Sequence, residues 1–310
     1  MVLALEFNGN ILAPAIVNGI AISSLYALMS IALVLTFRMS RSVAFVHGGI
    51  ASISAYLYWY LAATSASAFE VLGWPKLPSL AIVIVFGALG GFVFGSVVMG
   101  RMAAWPRVTV TTFSLGAMLL VAGIAGTIWK GVFERVPSPF GEGTMRFFSM
   151  NVTRHQVVSV GLLVVLSAVL TLVLSRTRLG VYIRAIADDV EAGQIVGIPV
   201  RSVAIGVWSF SGGLAALGGA LIVPMSTLTE LAVLFVLMRS LAAAVLGGFD
   251  SLPLALVGAL IFGLVESVVG GGVFGPVSSG MREVVLMALL FGGILLLARR
   301  RGGVMNLGGV

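Results

Sequence analysis

Residues 80–100 read LAIVIVFGALGGFVFGSVVMG and carry no charged side chain. A helix rises about 1.5 Å per residue, so about twenty residues cross a hydrocarbon core about 30 Å thick. This stretch therefore predicts a transmembrane helix. A strand of a membrane barrel would instead be about ten residues long, with polar and apolar side chains alternating.

Apolar stretches of similar length recur along the chain, which is 59% hydrophobic and 9% charged, against about 25% charged residues in soluble domains. The mean hydropathy is +1.15. We predict an all-α polytopic transmembrane helix bundle of about nine spans, and any number from about eight to about ten is compatible with the pattern. The spans form a single membrane domain over residues 1–310. The predicted spans are 11–36, 43–63, 80–100, 108–128, 156–174, 202–225, 231–249, 252–270 and 283–298.

The seventh and ninth predicted spans contain or adjoin charged residues. Arg239 lies near the middle of the seventh, and the ninth is short unless it begins before Arg282 and Glu283. Charged side chains are costly within lipid and face the protein or a water-filled path. Either segment is therefore expected to be a full span or a broken, re-entrant helix.

The arginines and lysines indicate an orientation, because loops on the cytoplasmic side carry an excess of positive charge. With the N-terminus outside, the inner loops carry eleven positive residues and the outer loops six. The inner set is Arg38, Arg41, Arg101, Arg107, Arg176, Arg178, Arg184, Arg201, Arg299, Arg300 and Arg301; the outer set is Lys76, Lys130, Arg135, Arg146, Arg154 and Arg282. We predict N-outside and C-inside, with 129–155 periplasmic and 175–201 cytoplasmic. The net charge of +7 then reflects topology, and no nucleic-acid partner is expected.

The sequence lacks the motifs that several classes of enzyme require. Neither lysine, Lys76 or Lys130, lies in a phosphate-binding Gly-Lys-Ser or Gly-Lys-Thr motif. Intramembrane proteolysis is the sharpest enzyme alternative, but no Gly-x-Ser-x-Gly or His-Glu-x-x-His occurs and the only histidines are His47 and His155. We expect no enzyme activity, no metal site and no cofactor bound by this chain.

The segment 175–201 is the most informative hydrophilic stretch. Asp188 and Glu191 form an Asp-x-x-Glu capping box, which predicts a short helix over 189–196. Gly197 suits the left-handed position after a helix, and Pro199 cannot continue it. Such a helix is suited to pushing against a partner, or it is a plain loop helix on the membrane surface.

Several motifs together resemble the LivH-type permease subunits of ABC importers for branched-chain amino acids, in matching order over nearly the whole chain. The residues that carry the resemblance are Asn18-Gly19, Tyr26-Ala27-Leu28, Phe45-Val46-His47-Gly48-Gly49, the stretch from Leu179 to Arg201, Ser211 to Ala220, Ala244 to Gly248, and Gly263-Leu264-Val265-Glu266. The resemblance implies a multi-pass protein of the bacterial inner membrane that forms half of a translocation pathway. The implied partners are a related LivM-type permease, two cytoplasmic LivG/LivF-type subunits that bind ATP and Mg, and a periplasmic solute-binding protein.

Two groups of functional residues are expected, one for coupling to the implied ATPase and one along the pathway, where polar groups inside spans tend to face the protein or a water-filled path. Residues 184–197 are expected to dock on the ATPase, and the coupling residues are Arg184, Asp188, Asp189, Glu191, Ala192, Gly193 and Gly197. The expected pathway residues are Asn18, Tyr26, Phe45, His47 and Glu266. For His47, a hydrogen bond from its ring to a backbone carbonyl of a neighbouring helix is the alternative to lining the pathway. Arg239 and Glu266 are expected to pair with each other, or to bracket the two charged ends of a zwitterionic amino acid.

The solute and two other classes of function stay open at this point. Leucine, isoleucine and valine are the family's usual solutes, while urea, short amides, aromatic acids and other amino acids remain alternatives. A passive channel would need the same helices but no ATPase. A scaffold subunit would tolerate loss of the polar residues inside the spans.

Overall fold

A computed structural model describes residues 9–63, 71–100, 105–129, 136–147, 150–225, 228, 230–249, 251–273 and 278–305. The helices are α1 Gly9–Ser40, α2 Val46–Ala62, α3 Lys76–Gly100, α4 Arg107–Ile128, α5 Arg154–Arg176, α6 Arg178–Asp188, α7 Val190–Ile195, α8 Val200–Ile222, α9 Glu230–Leu246, α10 Leu252–Gly270 and α11 Ser279–Met305. A 3₁₀ turn, Val223–Met225, extends α8. Lys130, Arg135 and Arg101, which were counted for the orientation, lie outside the described residues.

Each predicted span coincides with a helix, but the helices differ in how well they could cross a bilayer. Within the described ranges, six are long and apolar enough: Ile11–Ser40, Lys76–Val98, Arg107–Ile128, Arg154–Arg176, Val200–Met225 and Leu252–Gly270. The helix α2 has 17 residues, and the apolar part of α9 is limited to Leu234–Leu246. The chain is thus a multi-pass helical membrane protein, while the nine crossings and their orientation stay predictions.

Helices α9 and α11, which correspond to the seventh and ninth predicted spans, are continuous where the structure describes them. Helix α9 runs through Arg239 without a break from Glu230 to Leu246. Helix α11 begins at Ser279, before Arg282 and Glu283. Both charged positions therefore lie on regular helix, which fixes the directions of their side chains relative to the bundle.

The all-α prediction missed a small β-hairpin between α4 and α5. Strand β1, Thr144–Phe147, pairs antiparallel with β2, Met150–Thr153. Four-residue strands are too short for a recognisable alternation of side chains, so the sequence pattern did not reveal them. Thr153 then caps α5: its hydroxyl accepts from the amide of Gln156, whose side chain accepts from the amide of Thr153.

Helix α1 lies at the centre of the bundle, where it packs against α8, α9 and α10. From Leu25 to Leu35 its side chains are almost completely buried. Helix α5 is the opposite case, because Leu174 is its one buried apolar side chain and the others are partly or fully exposed. In a bilayer such exposed apolar faces contact lipid, so α5 is a peripheral helix.

Helices α3 and α8 cross with their backbones in direct contact. Gly87, Gly91 and Gly95 repeat every four residues along α3, a spacing of small residues that lets another helix approach closely. A methyl group added at Gly91 would meet the backbone of Trp208, and one added at Gly87 would lie 2.6 Å from the carbonyl oxygen of Gly212. The row of glycines on α3 is therefore the surface at which the two backbones meet.

The loops gather at two ends of the bundle. At the hairpin end, the Tyr58 hydroxyl donates to the Pro137 carbonyl over 3.0 Å, and the His155 ring lies 2.8 Å from the Leu221 carbonyl at the end of α8. At the opposite end, which we call the α7 end, the Arg41 guanidinium donates to the Ala187 carbonyl. The segment before α5 and the α6–α7 segment therefore lie at opposite ends of the helices.

Candidate functional sites

Four side chains from four helices form a charge cluster inside the bundle. Arg239 of α9 pairs with Glu266 of α10, with Nη1 and Oε1 2.8 Å apart, and with Glu283 of α11, with Nη2 and Oε1 2.6 Å apart. The Tyr26 hydroxyl of α1 donates to Oε2 of Glu266 over 2.6 Å and accepts from Arg239 over 3.1 Å. The predicted pairing of Arg239 with Glu266 is confirmed.

The members of this cluster differ in exposure. The side chains of Arg239 and Glu266 are 12% and 9% exposed, whereas that of Glu283 is 37% exposed. A buried ion pair needs further hydrogen bonds to offset the cost of removing both charges from water, and Tyr26 supplies one of them. Arg239 and Glu266 therefore form the fixed part of the cluster, and Glu283 is its accessible part.

A cavity of about 530 Å³ lies beside the charge cluster, between α1, α8, α9, α10 and α11. It is at the hairpin end, where α8 ends and α11 begins. One part of its wall is charged and the other is apolar. The lining residues are Ile22, Tyr26, Ile222, Met225, Phe235, Val236, Arg239, Glu266, Gly280, Arg282 and Glu283.

Asn18 lies next to this site in a separate string of hydrogen bonds. Its amide nitrogen donates to the Ser267 hydroxyl over 3.2 Å, and its carbonyl oxygen accepts from Gln156 over 3.2 Å. Ser267 follows Glu266 on α10, so the string connects the start of α5 to the cluster. Of the predicted pathway residues, the structure brings together Tyr26, Glu266 and Asn18.

Phe45 and His47 lie apart from the cluster, at the beginning of α2. The His47 ring is completely buried; its Nδ1 lies 2.9 Å from the Ala44 carbonyl and its plane stacks on Trp208 at 5.6 Å. Phe45 is half-buried and packs against the core. The carbonyl contact agrees with the alternative given for His47, except that Ala44 precedes the same helix and is not on a neighbouring one.

Helix α7 is capped one residue later than the sequence predicted. Asp189, not Asp188, is the cap: its Oδ1 accepts from the amides of Glu191 over 2.8 Å and Ala192 over 3.1 Å. Asp188 instead ends α6. Two adjacent aspartates offer equivalent caps in sequence, and the length of α6 decides between them. The predicted Asp188–Glu191 capping box is therefore wrong.

The end of α7 follows the prediction. Gly197 has a φ of +82°, and its amide donates to the Gln194 carbonyl over 3.0 Å, while the Ile198 amide donates to the Gly193 carbonyl over 3.0 Å. These two bonds form a Schellman motif, which favours glycine at this position. The helix is thus stopped at a defined residue before α8 begins.

The two sides of α7 face different surroundings. Gly193 is buried, with Ile186, Ile198 and Val200 within 4 Å of the place a methyl group would take. Ile195 and Val196 are 85% and 75% exposed, although neither lies in a predicted span. The outer side of α7 therefore presents apolar side chains away from the bundle.

The other predicted coupling residues surround this helix. Arg184 donates to the Leu174 carbonyl at the end of α5, which ties α6 to that helix. Glu191, Ala192 and Gly197 are exposed. A charged groove of about 660 Å³ lies between α7 and the ends of α1 and α4; its lining includes Arg38, Arg41, Arg107, Asp188, Asp189 and Glu191.

The comparison with known proteins points to one family. The family of branched-chain amino acid transport system permease components matches residues 15–298 of this chain. The chain belongs to this family. The permease BraD of Pseudomonas aeruginosa, from a high-affinity branched-chain amino acid transport system, is 25% identical over 300 residues, 94% of each chain. LivH of Escherichia coli, with the same description, is 24% identical over 286 residues, 88% of this chain and 89% of the relative.

A sugar permease is related to this permease as well. The fructose import permease FrcC of Rhizobium meliloti is 29% identical over 202 residues, which cover 62% of this chain and 55% of the relative. No solved structure matches the permease significantly. Membership in the family establishes a transport component that works with other subunits. It agrees with the resemblance that the sequence motifs carried.

Sequence reasoning missed several residues of this permease's two sites. It used Arg282 in the count of positive loop residues and, together with Glu283, in the question of where the ninth span begins, although ionisable residues within a membrane helix are themselves a signal of a functional position. It also did not single out Ile195 and Val196, two apolar residues before the helix-ending Gly197. In the described ranges, no group of three or more His, Cys, Asp or Glu side chains is arranged to hold a metal ion.

Proposed function

We propose that this permease is one membrane subunit of an ATP-driven importer in a bacterial inner membrane, and that it carries branched-chain or other hydrophobic amino acids. Its partners are a second, related permease, two cytoplasmic ATPase subunits and a periplasmic solute-binding protein. The match to the family over residues 15–298 supports the permease role. The names of BraD and LivH support the class of solute.

The single observation that carries the coupling part of the proposal is the exposed apolar side of α7. Exposed apolar residues on a span are explained by lipid, but α7 is a six-residue helix in the hydrophilic segment 175–201. A cluster of exposed apolar side chains outside the membrane is typical of a contact surface for a partner. Ile195 and Val196 would be buried when an ATPase subunit docks there.

The anchoring of α6 and α7 explains how docking would move the spans. Arg184 connects α6 to the end of α5, and Arg41 connects it to the end of α1. Helix α7 ends in the Schellman motif at Gly197, and only Ile198 and Pro199 lie between Gly197 and the first residue of α8, Val200. A push on α7 would therefore be transmitted to α1, α5 and α8, and access would alternate between two packings of these helices.

The same proposal includes the orientation and the pathway. With the N-terminus outside, about nine spans place the α7 end in the cytoplasm and the hairpin end in the periplasm. The solute would then enter beside Tyr26, Glu266 and Asn18 at the hairpin end. Phe45 and His47 would lie further along the route, towards the cytoplasmic end.

Replacement of Ile195 and Val196 by aspartate tests the docking role of α7. Charges in this surface should abolish co-purification of the ATPase subunits and ATP-driven uptake, because a docked charge without a partner is costly to desolvate. Met145→Asp is the matched control, since Met145 is 48% exposed but lies on β1 at the other end. Normal co-purification and uptake in the double variant would refute the coupling role.

A further inference from the structure

The cavity at the hairpin end contains charged groups whose binding capacity is not fully used. Arg239 binds two carboxylates and Tyr26 through its Nη atoms and leaves its buried Nε without a hydrogen-bond partner in the described part of the chain. Both oxygens of Glu266 are engaged, one by Arg239 and one by Tyr26. Glu283 uses Oε1 for Arg239, and Oε2 has no recorded partner within the described part of the chain. Glu283 can therefore accept one more hydrogen bond.

Arg282 is the second cation of this cavity, and it acts on Glu266 through space. Among the residues that the structure describes, its guanidinium makes no ion pair, and its buried Nε has no hydrogen-bond partner. Arginine presents its donors in a planar fork that matches the two oxygens of a carboxylate. A buried donor without a partner is costly, so an anion from outside the chain would be stabilised here.

The rest of the cavity wall determines what else the ligand must carry. Facing the charged groups are Ile22, Ile222, Met225, Phe235 and Val236, none of which offers a side-chain hydrogen bond. A ligand that satisfies the whole cavity carries one carboxylate, one cationic group and an apolar side chain. Hydrophobic α-amino acids have this combination, whereas a neutral sugar would leave Arg282 without a partner.

We propose that this cavity is a solute subsite of the permease, in which Arg282 binds the carboxylate of a hydrophobic amino acid and Glu283 binds its ammonium group. Arg239, Glu266 and Tyr26 are positioning residues, because they hold Glu283 at the wall of the cavity. The inference rests on the proposed function and deepens it, since it assigns the solute class to this chain's own residues. The partial exposure of Glu283 makes it the member that exchanges between Arg239 and the solute.

Uptake of radiolabelled L-leucine by the complete transporter in proteoliposomes tests the subsite. Arg282→Gln and Glu283→Gln should each lower uptake about ten- to a hundredfold, the value of a hydrogen bond to a charged group. Arg282→Lys keeps the charge and should retain most of the uptake. Arg146→Gln is the control, because Arg146 is an exposed residue on β1 and does not line the cavity.

A second measurement needs no substitution and so does not depend on the folding of a variant. In the complex without substitutions, saturating L-leucine should protect Arg282 from reaction with phenylglyoxal, which modifies arginine. Peptide mass spectrometry measures the extent of this reaction. The analogue 3-methylbutylamine, which lacks the carboxylate, should give no protection. Equal modification of Arg282 with and without leucine would overturn the subsite.

The outcomes separate this inference from the function on which it rests. If the unmodified complex imports leucine and both glutamine variants import it equally well, the subsite is wrong and the proposed function stands. If the unmodified complex hydrolyses ATP but imports no leucine, the proposed solute class fails and the subsite fails with it. Loss of uptake in both glutamine variants, with normal uptake in Arg146→Gln, supports the subsite.

Discussion

The contact between α3 and α8 allows a prediction from two neighbouring glycines, Gly90 and Gly91. A methyl group at Gly91 would meet the Trp208 backbone and lie 3.1 Å from the Gly212 Cα, so a helix backbone would have to move. A methyl group at Gly90 would lie 3.6 Å from the end of the Ile50 side chain, an ordinary contact. Gly91→Ala therefore strains the packing of α3 on α8, and Gly90→Ala does not.

The magnitude follows from the comparison of the two variants. Both replace a helical glycine by alanine and gain the same helix propensity, about 1 kcal/mol, which cancels. The remaining difference is the cost of overpacking, so Gly91→Ala should be less stable than Gly90→Ala by about 1–3 kcal/mol. Unfolding of the purified permease by SDS in mixed micelles, followed by circular dichroism, measures this difference. Equal stabilities, or the opposite order, would refute the close approach of α3 and α8.

Three further perturbations test other parts of the structure. Glu266→Gln removes one of the carboxylates of the buried Arg239 and should lower the stability in the same SDS assay by about 3 kcal/mol; a change below about 0.5 kcal/mol would contradict the buried pair. Asp189→Ala should destabilise α7 by about 1 kcal/mol and speed hydrogen exchange of its first amides, whereas Asp188→Ala should not; equal effects would contradict the cap. His155→Ala should release the segment before α5 from the end of α8 and speed hydrogen exchange at 136–147, and unchanged exchange there would count against this anchor.

The positions of the helices could be predicted from the sequence because the length of an apolar stretch is itself the physical requirement for crossing lipid. The pairing of Arg239 with Glu266 could also be predicted, since a charge inside a membrane protein needs a partner and few were available. These are local or compositional constraints. They do not depend on how the helices are rotated about their axes.

The details that the sequence did not predict depend on that rotation and on exact helix lengths. Tyr26 and Glu283 join the charge cluster because α1 and α11 turn these side chains towards α9, which no single stretch of sequence encodes. The cap of α7 is Asp189 and not Asp188, because Asp188 is the last residue of α6. The hairpin at 144–153 escaped notice because its strands are only four residues each.

The central claim is that this permease opens a route for a solute only when a partner ATPase drives it through α7. Uptake of L-leucine into proteoliposomes measures this directly. The three samples are the chain alone, the complete complex with ATP and the complete complex without ATP. The claim predicts uptake only in the complete complex with ATP. Rapid, ATP-independent leucine flux through the purified chain alone would contradict it and favour a passive channel.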